Sequence, residues 1–274
     1  QGTIYEICRP LVIGSLTVLR EASRTCKIVI EIKALDDEFE SDYKEGALNI
    51  LDVDNIDVES LEIGKISGVC GRAAYEYVEK ATMLALNGRI QAIATAPINK
   101  EALKQAGVPY IGHTEMFGGL TGVENPLTMF QVEALRIFFL TRHISLRKAC
   151  DLVTEDNVYQ LIKRSSNALK RLGLKKPSLA VAGLNPHSGE HGLFGREEID
   201  EIEPAVARAA DEGYRVVGPL PADSVFHYGL LGKYDAVLSL YHDQGHIAAK
   251  MVDFEKTVSI TNNLPFLRTS VDHG

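Results

Sequence analysis

Three histidines stand directly after apolar runs. His143 follows Ile137-Phe-Phe-Leu-Thr and Arg142, His187 follows Leu179-Ala-Val-Ala-Gly-Leu and Asn185-Pro186, and His242 follows Ala236-Val-Leu-Ser-Leu-Tyr. Neutral imidazole is the usual nitrogen ligand for zinc and other divalent ions, and three protein ligands with an open position make a catalytic site. The trio therefore reads as a divalent-metal centre. The plainer reading, in which each histidine only satisfies its own loop, suits any one of them taken singly. His191 and His227 lack that placement and read as solvated loop residues, while His246 and His273 stay open. Gly112-His113-Thr114-Glu115 offers imidazole, hydroxyl and carboxylate groups to a polar ligand, with a helix start capped by Thr114 as the equal alternative. Lys250 and Arg268, the latter beside Thr269 and Ser270, are cations suited to phosphate or carboxylate, whereas Lys100 reads as a surface lysine. There is no Walker loop and no Gly-x-Gly-x-x-Gly, so no nucleotide fingerprint is visible.

Such residues need a scaffold. Apolar positions recur at helical spacing from Val69 to Leu86, ahead of Gly88, and again over Leu146 to Val153, Val158 to Leu172 and Glu197 to Ala210. A short helix is expected over Lys100 to Gln105, and Gly107 to Glu115 reads as a loop. Strands are expected at Leu11 to Ile13, before a helix capped by Ser15, and at Ile90 to Thr95, Leu127 to Val132, Leu135 to Thr141 and Ser178 to Leu184. Further strands are expected at Tyr214 to Val217, before a Pro-rich turn, then at Asp235 to Leu240 and Thr257 to Thr261. Val-, Ile-, Leu- and Ala-rich strands alternating with helices indicate an α/β fold with a largely parallel sheet covered on both faces. In open sheets of this kind ligands bind beyond the carboxyl ends of the strands, which is where the three histidines fall.

The 274 residues carry 29 basic and 37 acidic side chains, a formal net charge of −8, which argues against an electrostatically driven nucleic-acid partner. A hydrophobic fraction of 45% with 24% charged residues belongs to a globular chain. No apolar run approaches the ~20 residues of a membrane span. Cys8, Cys26, Cys70 and Cys150 are scattered and never form Cys-x-x-Cys, so they are expected to be free thiols in a reducing cytoplasm.

Six blocks, taken in order, closely resemble the 4-hydroxythreonine-4-phosphate dehydrogenase family of pyridoxal-phosphate biosynthesis. They are Thr95-Ala-Pro-Ile-Asn-Lys100, Gly112-His-Thr-Glu115, Leu184-Asn-Pro-His-Ser-Gly-Glu190, Gly218-Pro-Leu-Pro-Ala-Asp223, Tyr241-His-Asp-Gln-Gly245 and Leu264-Pro-Phe-Leu-Arg-Thr-Ser-Val-Asp-His-Gly274. Gln91-Ala-Ile-Ala-Thr-Ala-Pro and His242-Asp-Gln-Gly-His-Ile247 look closer to the branch acting on 4-phospho-D-threonate or 4-phospho-D-erythronate. Against the family pattern, Ser259 stands where asparagine is frequent, and Thr261-Asn262-Asn263-Leu264 replaces a stretch with glycine. The family's opening strand with its Gly-Asp-Pro-Ala-Gly loop, and the helical region after Asp-His-Gly, have no counterpart between Gln1 and Gly274, so both ends are expected to be incomplete.

The resemblance implies two α/β/α domains with a cleft between them, similar to isocitrate and isopropylmalate dehydrogenases. The expected division is 1–115 plus 245–274 for the first domain and 116–244 for the second. It further implies a homodimer with a shared active site, in which His143, His187 and His242 bind a divalent metal and one of them comes from the partner. Substrate-binding positions then fall on His113, Thr114, Lys250, Ser259 and Arg268. Zinc is the expected ion, with cobalt or magnesium as alternatives, and NAD the expected cofactor. The implied reaction is oxidation, with decarboxylation, of a phosphorylated four-carbon 3-hydroxy acid. Asp243 and Lys250 flank the metal-binding segment and are the candidate bases, with Asp223 second. The alternatives are a metal-dependent hydrolase, since a bound metal equally activates water, and a non-catalytic ligand-binding relative.

Overall fold

The computed structural model describes residues 4–36 and 43–271, and His273 lies outside them. The chain forms two compact units, Gln1–Ile93 with Pro97–Glu124, and Ala94–Ala96 with Asn125–Gly274.

The first unit holds α1 (Ile4–Ile7), β1 (Val12–Gly14), α2 (Leu16–Thr25), β2 (Ile32–Ala34), β3 (Leu48–Asp52) and α3 (Gly68–Leu86). After β4 (Ala92–Thr95), which leads into the second unit's sheet, come α4 (Lys100–Gln105) and α5 (His113–Thr121). Three parallel strands run in the order β1-β3-β2. Ser15 caps α2 as expected, its hydroxyl accepting from the Val18 N–H. Residues 113–115 are helical rather than loop, and the cap of α5 is Gly112, not Thr114, whose place is inside the first turn.

The second unit continues with β5 (Leu127–Val132), β6 (Leu135–Phe139), α6 (Leu146–Asp151), α7 (Glu155–Arg171) and β7 (Ser178–Ala182). Then follow α8 (Glu203–Asp211), β8 (Arg215–Leu220), α9 (Ala222–Leu230), β9 (Ala236–Ser239), α10 (His242–Val252), β10 (Val258–Asn262) and β11 (Leu267–Val271). The sheet order is β4-β11-β10-β5-β6-β9-β7-β8. It is more mixed than the strand composition suggests: β6-β9-β7-β8 are parallel, whereas β5 pairs antiparallel with β6 and β10. Only Glu133 and Ala134 separate β5 from β6, and so short a link joins antiparallel neighbours alone. β8 runs on through Pro219 to Leu220, past the turn expected there; as the sheet's edge strand it tolerates a residue without an N–H.

Alternation along the strands splits the core into two layers. Leu127, Met129, Phe138, Leu179 and Val181 meet α7 and α8 on one face, while Phe130, Ile137, Phe139, Ala180 and Ala182 meet α9 and α10 on the other. Residues 245–271 fall with 125–244 in the second unit, whereas the expected division joined 245–274 to 1–115. The cause is hydrogen bonding: β10 pairs with β5 along its whole length, from Val258 opposite Gln131 to Asn262 opposite Leu127.

Candidate functional site

The three histidines emerge at the carboxyl ends of three neighbouring parallel strands, His143 after β6, His242 after β9 and His187 after β7. Neighbouring strands stand ~4.8 Å apart, so their tips form one short row. Side chains lace the row together. The Thr141 hydroxyl donates to the Leu240 carbonyl at 2.8 Å, joining the tips of β6 and β9. Gln244 accepts from the Leu240 N–H and donates to the Gly183 carbonyl, both at 2.8 Å, joining the tips of β9 and β7.

His143 and His242 come together: their ring centroids are 5.7 Å apart and both line a cavity of about 460 Å³ that also receives Arg142, Ser145, Tyr241 and Asp243. His242 opens α10, and its Nδ1 lies 2.6 Å from an Asp243 oxygen. A carboxylate on one ring nitrogen fixes the tautomer and leaves Nε2 as a donor atom, the arrangement common behind metal-binding imidazoles. These two residues fit two positions of a divalent-metal site. His187 is exposed and does not line the cavity, and among the described residues no group of three or more His, Cys, Asp or Glu is gathered closely enough to hold a metal.

His187 sits in an unusual turn. His187, Ser188, Gly189, Glu190 and His191 all have left-handed backbone, with φ between 44° and 80°. Four of these carry side chains, and each costs on the order of 1–2 kcal/mol in that region. Gly183 allows the turn to approach the end of β7: a Cβ there would lie 2.8 Å from Ser188 Oγ. His191 and His227 are exposed, as expected, but His227 stands within α9 and not in a loop.

His246, left open by the sequence, is a supporting element of the site. Its ring stacks on His242 at 3.7 Å and 10°, with Phe130 and Phe139 at 4.4 and 4.5 Å. Its Nδ1–H donates to the His242 carbonyl at 2.8 Å. Burial pushes its pKa down to about 4, against the hydrogen bond to the His242 carbonyl, which favours the protonated ring; the nearby Lys250 and Arg142 charges also lower it. The i, i+4 spacing in HisAspGlnGlyHis is a helix-face signal that could have shown the pairing.

The other expected site residues are spread. His113 and Thr114 belong to the first unit, half-buried in the first turn of α5. Asp243 and Lys250 share α10 but stand two turns apart, about 10 Å along its axis. Lys250 Nζ lies 5.1 Å from the Phe254 ring. Asp223 is exposed at the start of α9. Ser259 is half-buried in β10, opposite Phe130 and Ser270. Arg268 is only 5% exposed; its guanidinium donates to Thr261 Oγ1 at 3.1 Å and Thr95 Oγ1 at 2.6 Å, and burial lowers its pKa to about 10. Thr141, Gln244 and Arg142 are positions whose part in the candidate site the residue types alone did not disclose.

Comparison with known proteins agrees with the sequence resemblance. A Clostridium botulinum protein provisionally named D-threonate 4-phosphate dehydrogenase is 53% identical over 274 residues, covering 100% of this chain and 82% of its own length. A Symbiobacterium thermophilum protein with the same provisional name is 55% identical over 271 residues, covering 99% and 81%. The crystal structure of a 4-hydroxythreonine-4-phosphate dehydrogenase from Klebsiella pneumoniae superimposes with a TM-score of 0.90 at 40% identity, over 96% of this chain and 80% of that one. Residues 6–274 match the family described as pyridoxal phosphate biosynthetic protein PdxA, and the chain belongs to that family.

Proposed function

We propose that this protein is a dehydrogenase that oxidises and decarboxylates a phosphorylated four-carbon 3-hydroxy acid, D-threonate 4-phosphate before 4-hydroxythreonine 4-phosphate. The observation that carries the reading is the pair His143 and His242 at one cavity beyond parallel strand ends, with Asp243 on the far nitrogen of His242. The order of substrates follows the names given to the relatives above half identity.

In this reading His143, His242 and His187 hold a divalent cation, zinc or in its place cobalt or magnesium, with one histidine supplied by the partner in a homodimer. When bound, the cation supplies Lewis acidity at the substrate's hydroxyl oxygen, and NAD supplies the hydride acceptor. The chain's own groups do the rest. Asp243 holds His242 in one tautomer. Arg142 places a guanidinium at the cavity, suited to a carboxylate or phosphate, and Lys250, Ser259, Arg268, His113 and Thr114 are the remaining substrate contacts. The hydroxyl proton passes to Asp243, Lys250 or Asp223. Four free thiols fit a reducing cytoplasm, and no described helix is long and apolar enough to cross a membrane.

The test is NADH absorbance with NAD, each metal and each phosphorylated acid. Faster reduction with D-threonate 4-phosphate, lost in His242→Ala, is expected. Phosphate release without NADH would make the protein a hydrolase, and calorimetric binding without turnover a binding protein; either result overturns the proposal.

A further inference from the structure

The turn bearing His187 runs through five consecutive left-handed residues, so something outside it must hold it in place. Glu198 is that group. It is only 1% exposed, and one carboxylate oxygen accepts from the backbone N–H groups of both Leu184 and Asn185, each at 2.7 Å. The other oxygen accepts from Asn185 Nδ2 at 2.9 Å. The Asn185 amide is shared with Glu197, at 2.7 Å. Leu184 and Asn185 are the residues through which the chain leaves β7 and enters the turn, so the carboxylate clamps its root.

The surrounding backbone is shaped to admit this clamp. Gly189, at the centre of the turn, has φ 80°, and a Cβ there would fall 2.7 Å from the Glu198 carboxylate. Gly195 likewise leaves room for Asn185, since a Cβ would lie 2.3 Å from its Nδ2. Glu198 itself opens a π-turn, Glu198–Ile202, in which its carbonyl accepts from the Glu203 N–H five residues on. Such turns are frequent at functional sites.

We infer that Glu198 is a positioning residue that holds the His187 turn in a ligand-competent form. The inference rests on the proposed role of His187 in metal binding. Its test measures cobalt and zinc dissociation constants by competition with a chelating dye, together with backbone amide exchange of segment 184–192, in the full chain and its Glu198→Gln, Glu198→Asp and His187→Ala variants. The glutamine keeps the volume, and its one carbonyl oxygen can still accept from Leu184 and Asn185, but its NH2 then faces the Asn185 Nδ2 donor and the charge that strengthened all three hydrogen bonds is gone. It is expected to weaken metal binding about 10- to 100-fold, as loss of a supporting partner does, and to speed exchange at Leu184 and Asn185. Glu198→Asp retains a carboxylate and is expected to recover part of both.

A purely structural role would lower the unfolding midpoint and leave the metal affinity of the folded protein unchanged. Wild-type metal affinity in Glu198→Gln, with His187→Ala defective, overturns the positioning role and spares the metal reading. Wild-type affinity in His187→Ala overturns the metal reading itself, and the positioning role with it.

Discussion

Replacing Gly245 by alanine tests whether α10 must lie hard against the sheet for His242 to be placed. Gly245 is buried in the first turns of α10, and a Cβ there would fall 2.5 Å from Phe139 Cε1, 2.9 Å from Ile137 Cγ2 and 3.0 Å from Ser239 Cβ. The three atoms belong to two strands, so no single rotamer change relieves them. Alanine in a helix interior gains about 1 kcal/mol over glycine in intrinsic propensity. Overpacking a filled core costs ~1–3 kcal/mol, and a clash from three sides belongs at the upper end. The net expectation is a loss of about 1–2 kcal/mol, or roughly 2–4 °C in unfolding midpoint for each kcal/mol in a domain of this size. The helix escapes by lifting from β6 and β9, and His242 at its head moves with it. Since a misplacement of about 1 Å can cost ~100-fold in turnover, kcat/KM should fall 10- to 100-fold with little change in circular dichroism. Thermal melts, NADH kinetics and metal titration read the three effects. A Gly245→Ala protein that melts at or above the wild-type temperature with wild-type turnover would refute the argument, because propensity would then outweigh packing.

Gln244→Leu removes an acceptor from the Leu240 N–H and a donor from the Gly183 carbonyl; it should cost roughly 1–3 kcal/mol in denaturant unfolding and weaken metal binding as the tips of β9 and β7 separate. In the first unit, burial raises the pKa of Tyr43, Tyr75 and Tyr77 to about 12, with Tyr5, Glu79 and Asp52 adding to it in turn. The folded state therefore keeps protons that the unfolded chain loses near 10. This contribution to stability is whole below pH 10 and disappears as pH rises towards 12, which ultraviolet titration of tyrosine alongside unfolding curves will show.

Much of the site's address was legible in the sequence. Helical periodicity, Ser15 as a cap and short apolar runs are local properties, since hydrogen bonds within four residues and the alternation of faces are set by neighbouring side chains. Polar residues after apolar runs accordingly placed His143, His187 and His242 at strand ends, and the same logic put α4 at Lys100–Gln105 and β5 at Leu127–Val132. Tertiary structure decided what local rules cannot reach. The sheet order brings β6, β9 and β7 side by side from stretches as far apart as 135 and 239, so the meeting of His143 with His242 is a consequence of non-local strand pairing. The flat stacking of His246 beneath His242 needs Phe130 and Phe139 from two other strands. Nothing in Pro186-His-Ser-Gly-Glu-His191 calls for left-handed backbone, a conformation unfavourable to all its residues but glycine. A buried carboxylate from Glu198 supplies the hydrogen bonds around that turn, and only packing brings it there.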